Sequence, residues 1–243
     1  MFSGTVPHVF LGTYPIIGCD TMVKLIGLSG SPRGEQSRTL RLVNAVMSGA
    51  AEAGASYEVV DVSSLDLAFC LGCGVCYSSG ECIHTDEFSL LFEKMLESDG
   101  IVLGSPVYIN SVTAQLKLVL DRLADAIHCQ MFEGKYGCSV ATAGGSHAQE
   151  VVEYQNSVLQ ILGATTVGGV GVVLGPDPTI LKIAENQAYE LGTNLVEAIR
   201  NKTKYPDQEA VHFAMKERMR ILVQANRDIW AHEYDHWLKK GWL

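Results

Sequence analysis

The chain has 243 residues and a formal net charge of −9, an acidic balance that leaves no basic stripe to neutralise a polyanion and so excludes a nucleic-acid binder. A hydrophobic fraction of 47% suits a globular protein with a full core, and no apolar run reaches the roughly 18–20 residues that would span a bilayer. Seven cysteines without a secretory signature point to a cytoplasmic, reducing setting, and to metal or redox chemistry before disulfides.

Residues 1–21 contain two apolar patches, Val9-Phe10-Leu11 and Ile16-Ile17, but they lack a basic leading region and are broken by Pro7 and Pro15. They do not read as a signal peptide, and a start at Met22 would make them an N-terminal tail. Val23–Leu28 is a buried-strand pattern. After a Gly- and hydroxyl-rich stretch, Leu40, Val43, Met47 and Ala50 recur at helical spacing until Gly54. Tyr57–Val62 alternates as a second strand, the cysteines follow, and Phe88, Leu91, Met95 and Leu96 mark a second helix. Ile101–Leu103 is a third strand, ending at Gly104-Ser105-Pro106.

Val112, Leu116, Val119, Leu120, Leu123 and Ile127 form one long apolar stripe and predict a single third helix. Gly137–Thr142 is a fourth strand, a helix through Val151, Val158 and Leu162 follows, and a fifth strand lies at about 165–174. Five strands separated by helices give a doubly wound parallel sheet. Beyond Pro176-Asp177-Pro178 the pattern is wholly helical. The expected organisation is one α/β domain over residues 22–178, interrupted by the cysteine run 70–82, with a helical C-terminal extension over 179–243.

Ligands of such sheets collect at the carboxyl ends of the strands, and three loops there carry suitable chemistry. Ser29 to Thr39 places Ser31, Ser37, Thr39, Arg33 and free backbone N–H groups before a helix N-terminus, a setting for a phosphate. It lacks the Lys of a Walker loop and the glycine pattern of a dinucleotide turn, which favours a phosphomonoester; a plain helix-capping turn is the alternative. Ser105-Pro106-Val107-Tyr108-Ile109-Asn110-Ser111 offers an aromatic ring with amide and hydroxyl groups for a flat heterocycle. Thr142-Ala143-Gly144-Gly145 lets bare backbone approach a ligand.

Cys70, Cys73, Cys76 and Cys82 are spaced C-x2-C-x2-C-x5-C. Short steps of this kind wrap a chain round an iron–sulfur cubane. Structural zinc, disulfides and an empty thiol loop are the other readings of the run. Cys19, Cys129 and Cys138 have no such spacing, and Cys138 reads as a small core residue. His84 reads as a solvated loop residue, and His128, at a helix C-terminus, as a partner for helix-end carbonyls or for the helix dipole. His232, Tyr234, His236 and Trp237 look like a metal or stacking cluster, but their spacing fits an amphipathic docking helix better, with Trp230, Trp237 and Trp242 packing on the core or on a neighbouring subunit.

Gly30-Ser31-Pro32-Arg33 with Ser37 and Thr39 resembles the phosphate loop of the NAD(P)H-dependent FMN reductase family of flavodoxin-like proteins. Ser105-Pro106-Val107-Tyr108, with Ala114–Lys117 and Asp121-Arg122 behind it, and Thr142–Gly145 are similar to that family's second and third loops. The resemblance covers roughly 23–174. It implies a flavodoxin-like fold and bound FMN, held by Ser29, Ser31, Arg33, Ser37, Arg38 and Thr39 at the phosphate, and by Pro106, Val107, Tyr108, Ile109, Asn110, Ser111, Thr142, Ala143, Gly144 and Gly145 at the ring. Arg38 departs from the small polar residue expected at its place.

The cysteine spacing is similar to that of the family's iron–sulfur flavoprotein branch, which implies a 4Fe-4S cluster on Cys70, Cys73, Cys76 and Cys82. The expected activity is NAD(P)H oxidation by FMN, with no catalytic residue beyond the cofactor, and electrons leaving through the cluster. A cluster-free quinone, nitro or azo reductase, an electron-transfer protein serving a ferredoxin-like partner, and a cysteine redox sensor are the alternatives. The expected partners are thus NAD(P)H or a ferredoxin-like donor and a small-molecule or protein acceptor, on a homodimer or homotetramer; neither nucleic acid nor membrane is expected.

Overall fold

The computed structural model describes residues 22–243; the expectations for residues 1–21, and Cys19 with them, lie outside the described residues. Five parallel strands form one sheet in the order β2-β1-β3-β4-β5. They are β1 (Lys24–Ser29), β2 (Ser56–Asp61), β3 (Gly100–Pro106), β4 (Tyr136–Ala143) and β5 (Thr165–Val173). Every residue of β4 and all but the last of β3 are buried, as expected of central strands covered on both faces. The expected doubly wound α/β fold is therefore present.

Helices α1 (Arg38–Glu52) and α7 (Pro178–Asn201) cover one face of the sheet. Their apolar stripes, including Val43, Met47, Ala188 and Leu195, share a core with Val102, Cys138 and Val140 of the strands. Glycine permits the two helices to touch: a Cβ at Gly49 would stand 1.9 Å from the Tyr189 carbonyl oxygen, and one at Gly192 the same distance from that of Val46. Between α1 and the third strand lie the short α2 (Val75–Ser79) and then α3 (Phe88–Glu97). The latter joins α4 (Ala114–Asp121), α5 (Ala124–His128) and α6 (Ala148–Ile161) over the opposite face, where Leu103, Leu116 and Leu159 form a second core. Cys138 is fully buried in that sandwich, as its strand position suggested.

The single helix expected over 112–127 is broken. Arg122 N–H donates to Val119 O and Leu123 N–H to Leu120 O, so the chain tightens into 3₁₀-type bonds and restarts as α5. The apolar stripe continues through both pieces, which is why periodicity alone did not show the break. The last helices, α8 (Pro206–Ala225) and α9 (Ala231–Lys240), form a third core round Met219, Val223 and Trp237. Trp237 is fully buried, and its indole N–H donates to the His128 carbonyl at 2.9 Å. The docking role expected of this segment is thereby met.

Candidate active site

The order β2-β1-β3 reverses the direction of winding between β1 and β3, and a cleft of about 340 Å³ opens beyond their carboxyl ends. Its walls come from all three loops: Ser31, Arg33, Ser37, Arg38 and Thr39; Pro106, Val107 and Tyr108; Thr142, Ala143 and Gly144, with Leu174 completing it. Ser37 caps α1, its hydroxyl accepting the Leu40 N–H at 3.0 Å, because the first turn of a helix has N–H groups with no helical partner. Thr39 and Thr142 join hydroxyl to hydroxyl at 2.7 Å, tying the first loop to the third. Thr113 ties the first to the second: its hydroxyl donates to Gly30 O at 2.6 Å while its N–H donates to the Ser105 hydroxyl at 3.0 Å.

Ser29 is buried at the end of β1, and Ile109, Asn110, Ser111 and Gly145 stand outside the walls of the cleft. Ile109 and Asn110 are the centre of a tight turn, φ 48° and 61°, closed by reciprocal backbone bonds between Tyr108 and Ser111. Positive φ at both centres is the geometry of a type I′ turn. Asn tolerates it, but a β-branched Ile does not do so readily, and Ile109 is also 97% exposed.

The cysteine loop leaves the same edge of the sheet after β2. Gly72, Gly74 and Gly80 all have φ between 62° and 80°, so the loop's turns rest on residues without a Cβ. Its two ends are clamped together. Asp86 accepts from Ala68 N–H at 2.8 Å, Glu87 accepts from Asp66 N–H at 2.7 Å, and His84 Nε2 bonds the Phe69 carbonyl at 3.1 Å. His84 is thus a clasp on the loop while remaining in the solvent-accessible setting expected of it.

Arg122 reaches in from the α4–α5 break and donates through Nη1 to Asp86 and, at 3.3 Å, to Ala68 O. Burial pushes the Asp86 carboxyl up, but the hydrogen bonds from Arg122, Ala68 and Phe88 overcome this and hold it down at about 2.

Cys70 and Cys73 are exposed, Cys76 and Cys82 half-buried, and all six described cysteines are free. Among the described residues, the one trio of metal-type ligand atoms within 4.8 Å of one another is Asp125, Cys129 and His232. The four loop sulfurs form no such trio.

One observation fits a bound group at the loop. Arg122 Nε and Nη2 are buried with no hydrogen-bond partner, a cost of about 1–3 kcal/mol each unless something negative receives them.

The other flank of the loop is acidic. A Cβ at Gly80 would fall 2.5 Å from His232 Nδ1, so α9 sits directly on α2. Asp125 and Glu233 are buried together there; burial and then the Glu233 charge push the Asp125 carboxyl up to about 7. Burial and then the Asp125, Cys82 and Glu233 charges push the Cys76 thiol up to about 12. His128 does not serve helix-end carbonyls through its ring: Nδ1 bonds Glu233 at 2.8 Å, and the ring stacks on Trp230 with centroids 5.0 Å apart. Asp86, Asp125 and Glu233 lay beyond the sequence reading. The visible signal for Arg122 was a charge set within an apolar stripe.

Sheet order, switch-point cleft and hydroxyl-rich first loop together define a flavodoxin-like fold with its ligand cleft at the carboxyl edge of the sheet. The sequence model of the family described as NADPH-dependent FMN reductase matches residues 23–178, and the chain belongs to that family, within its iron–sulfur flavoprotein branch. An "Iron-sulfur flavoprotein" of Archaeoglobus fulgidus is 32% identical over 228 residues, covering 91% of this chain and all of the relative. "Iron-sulfur flavoprotein MJ1083" of Methanocaldococcus jannaschii is 35% identical over 157 residues, covering 65% of this chain and 79% of its own. Among solved structures, an NAD(P)H:quinone oxidoreductase from Methanothermobacter marburgensis aligns with a TM-score of 0.59 at 18% identity, covering 72% of this chain and 98% of that one. At that identity the likeness speaks for the fold. The protein is a flavin-dependent oxidoreductase, and no described helix is long and apolar enough to cross a membrane.

Proposed function

We propose that the cleft holds FMN and that Cys70, Cys73, Cys76 and Cys82 hold a 4Fe-4S cluster, so that electrons taken from NAD(P)H or a ferredoxin-like donor leave singly. The observation that carries this reading is the placement of a hydroxyl-rich cleft and a four-cysteine loop along one edge of one sheet. Bound FMN supplies hydride acceptance and the change from two-electron to one-electron transfer. The chain binds and orients it: Ser31, Arg33, Ser37, Arg38 and Thr39 would receive the phosphate, while Pro106, Val107, Tyr108 and the Thr142–Gly144 backbone would flank the ring. Asn110 and Ser111, in the turn that follows Tyr108, would stand beside the ring.

Anaerobic purification followed by flavin, iron and sulfide assay tests the reading. One FMN and about four irons per chain are expected. In a Cys82→Ser variant iron should fall sharply while flavin stays. Flavin without iron in the wild type would leave a cluster-free reductase.

A second reading, electron transfer to a protein partner, is favoured by the apolar residues Phe69, Leu71 and Ile83, which stand exposed round the loop. Rapid reduction by a ferredoxin with no NAD(P)H oxidation would select it; steady NAD(P)H oxidation with a quinone would select the enzyme. Assembly as a homodimer or homotetramer is part of the proposal, and light scattering on the holoprotein measures it.

A further inference from the structure

The four cysteines do not share one electrical environment. Cys70 and Cys73 face solvent, Cys76 faces Asp125 and Glu233, and Cys82 neighbours the Arg122 guanidinium. The Arg122 side chain is 1% exposed, and its guanidinium lies 4.3 Å over the Phe88 ring. Only Nη1 has oxygen acceptors, Asp86 and Ala68 O. Burial lowers the Arg122 pKa, but the Asp86 hydrogen bond and then one to the close-lying Cys82 sulfur raise it. Ala68 precedes the first cysteine of the run and Asp86 follows the last, so this one nitrogen already closes the loop.

A clasp needs no more than that, and the ammonium of a lysine could supply it. What lysine lacks is the fork, whose remaining donors, Nε–H and Nη2–H, are here buried with no well-formed hydrogen bond and with the Cys82 sulfur as their neighbour. A buried donor without an acceptor is uncommon enough to ask what it awaits.

We propose that Arg122 is a positioning residue for the cluster: its free N–H groups donate to the Cys82 thiolate, fix that ligand to both ends of the loop, and raise the cluster's reduction potential. The sign follows from charge. The reduced cluster carries one more electron than the oxidised one, so a cation with directed donors at a ligand sulfur stabilises the reduced form more. The acidic flank at Cys76 acts in the opposite sense, and because the Arg122 charge is shared with Asp86, it is the directed donors that oppose it. The inference rests on the cluster reading above.

The test is a potentiometric titration of the anaerobic holoprotein with dithionite and mediators, followed by electron paramagnetic resonance, on wild type, R122K, R122Q and the paired variant R122M/D86N. Flavin content should be unchanged in all. R122K should keep the cluster but shift its reduction equilibrium at least tenfold towards the oxidised form, which is 59 mV for a one-electron couple, and R122Q should shift it further. Full iron content with unaltered potentials in these variants overturns the proposal.

R122M/D86N removes the buried pair as a unit and leaves no orphan carboxylate, so it guards against misfolding of the single variants. Independently, wild type carrying ¹⁵N-guanidinium arginine should show nitrogen coupling to the reduced cluster in pulsed resonance. Its absence overturns the proposal even if every variant fails to fold. A wild type that keeps FMN but carries no iron removes the cluster reading, and this inference with it, and is told apart from the other failures by the iron assay.

Discussion

Single residues carry the sharpest tests. Ile109 holds a left-handed conformation with its side chain almost wholly in solvent, so it meets the strain of that region without packing in return. Ile109→Gly should therefore stabilise the fold by about 1 kcal/mol, read as a rise in denaturation midpoint; an unchanged or lowered midpoint would mean the side chain is held by something else. Thr39→Val removes the bond that joins the first and third loops. FMN affinity should fall roughly fivefold, about 1 kcal/mol, by flavin titration of the apoprotein.

Asp125 gives a pH signature. Burial and Glu233 raise its carboxyl to about 7, so the stability of the neutral form is full below about pH 4 and is lost as pH rises towards 7. Asp125→Asn, neutral throughout, should gain melting temperature relative to wild type across that window and hold the gain above it. Parallel melting curves from pH 4 to 8 would contradict the assignment.

At the scale of elements, what could be read in advance was whatever chemistry is local. The three cleft loops announced themselves because each is a short segment at a strand end whose hydroxyls, glycines or aromatic sit within a few positions. The cysteine run was visible for the same reason. The loop's clamp was not, because Arg122 and Asp86 stand 36 positions apart, and the bond from His128 to Glu233 spans 105. Periodicity also hid the α4–α5 break, since Val119, Leu120 and Leu123 keep one apolar face on both sides of it. The break matters functionally, because it is what carries Arg122 inward. Asn110 and Ser111, offered by the sequence as polar groups for a ring, sit in the tight turn next to Tyr108, beside the residues that line the cleft.

On the scale of the whole molecule, α9 is fixed by Trp237, buried outright and bonded to the His128 carbonyl. Trp237→Ala should cost about 3–5 kcal/mol in denaturant unfolding, and it should loosen the cysteine loop, which α9 backs. Iron content should fall in that variant further than flavin content; equal losses would mean that α9 supports the sheet as a whole. The position of α9 has a consequence for biosynthesis as well. The last residue lining the cleft is Leu174, but His232 and Glu233, which back the cysteine loop, are made about sixty residues later. At ~5–20 residues per second that is a delay of about 3–12 s. In synthesis, then, every residue that lines the cleft exists seconds before those that back the cysteine loop.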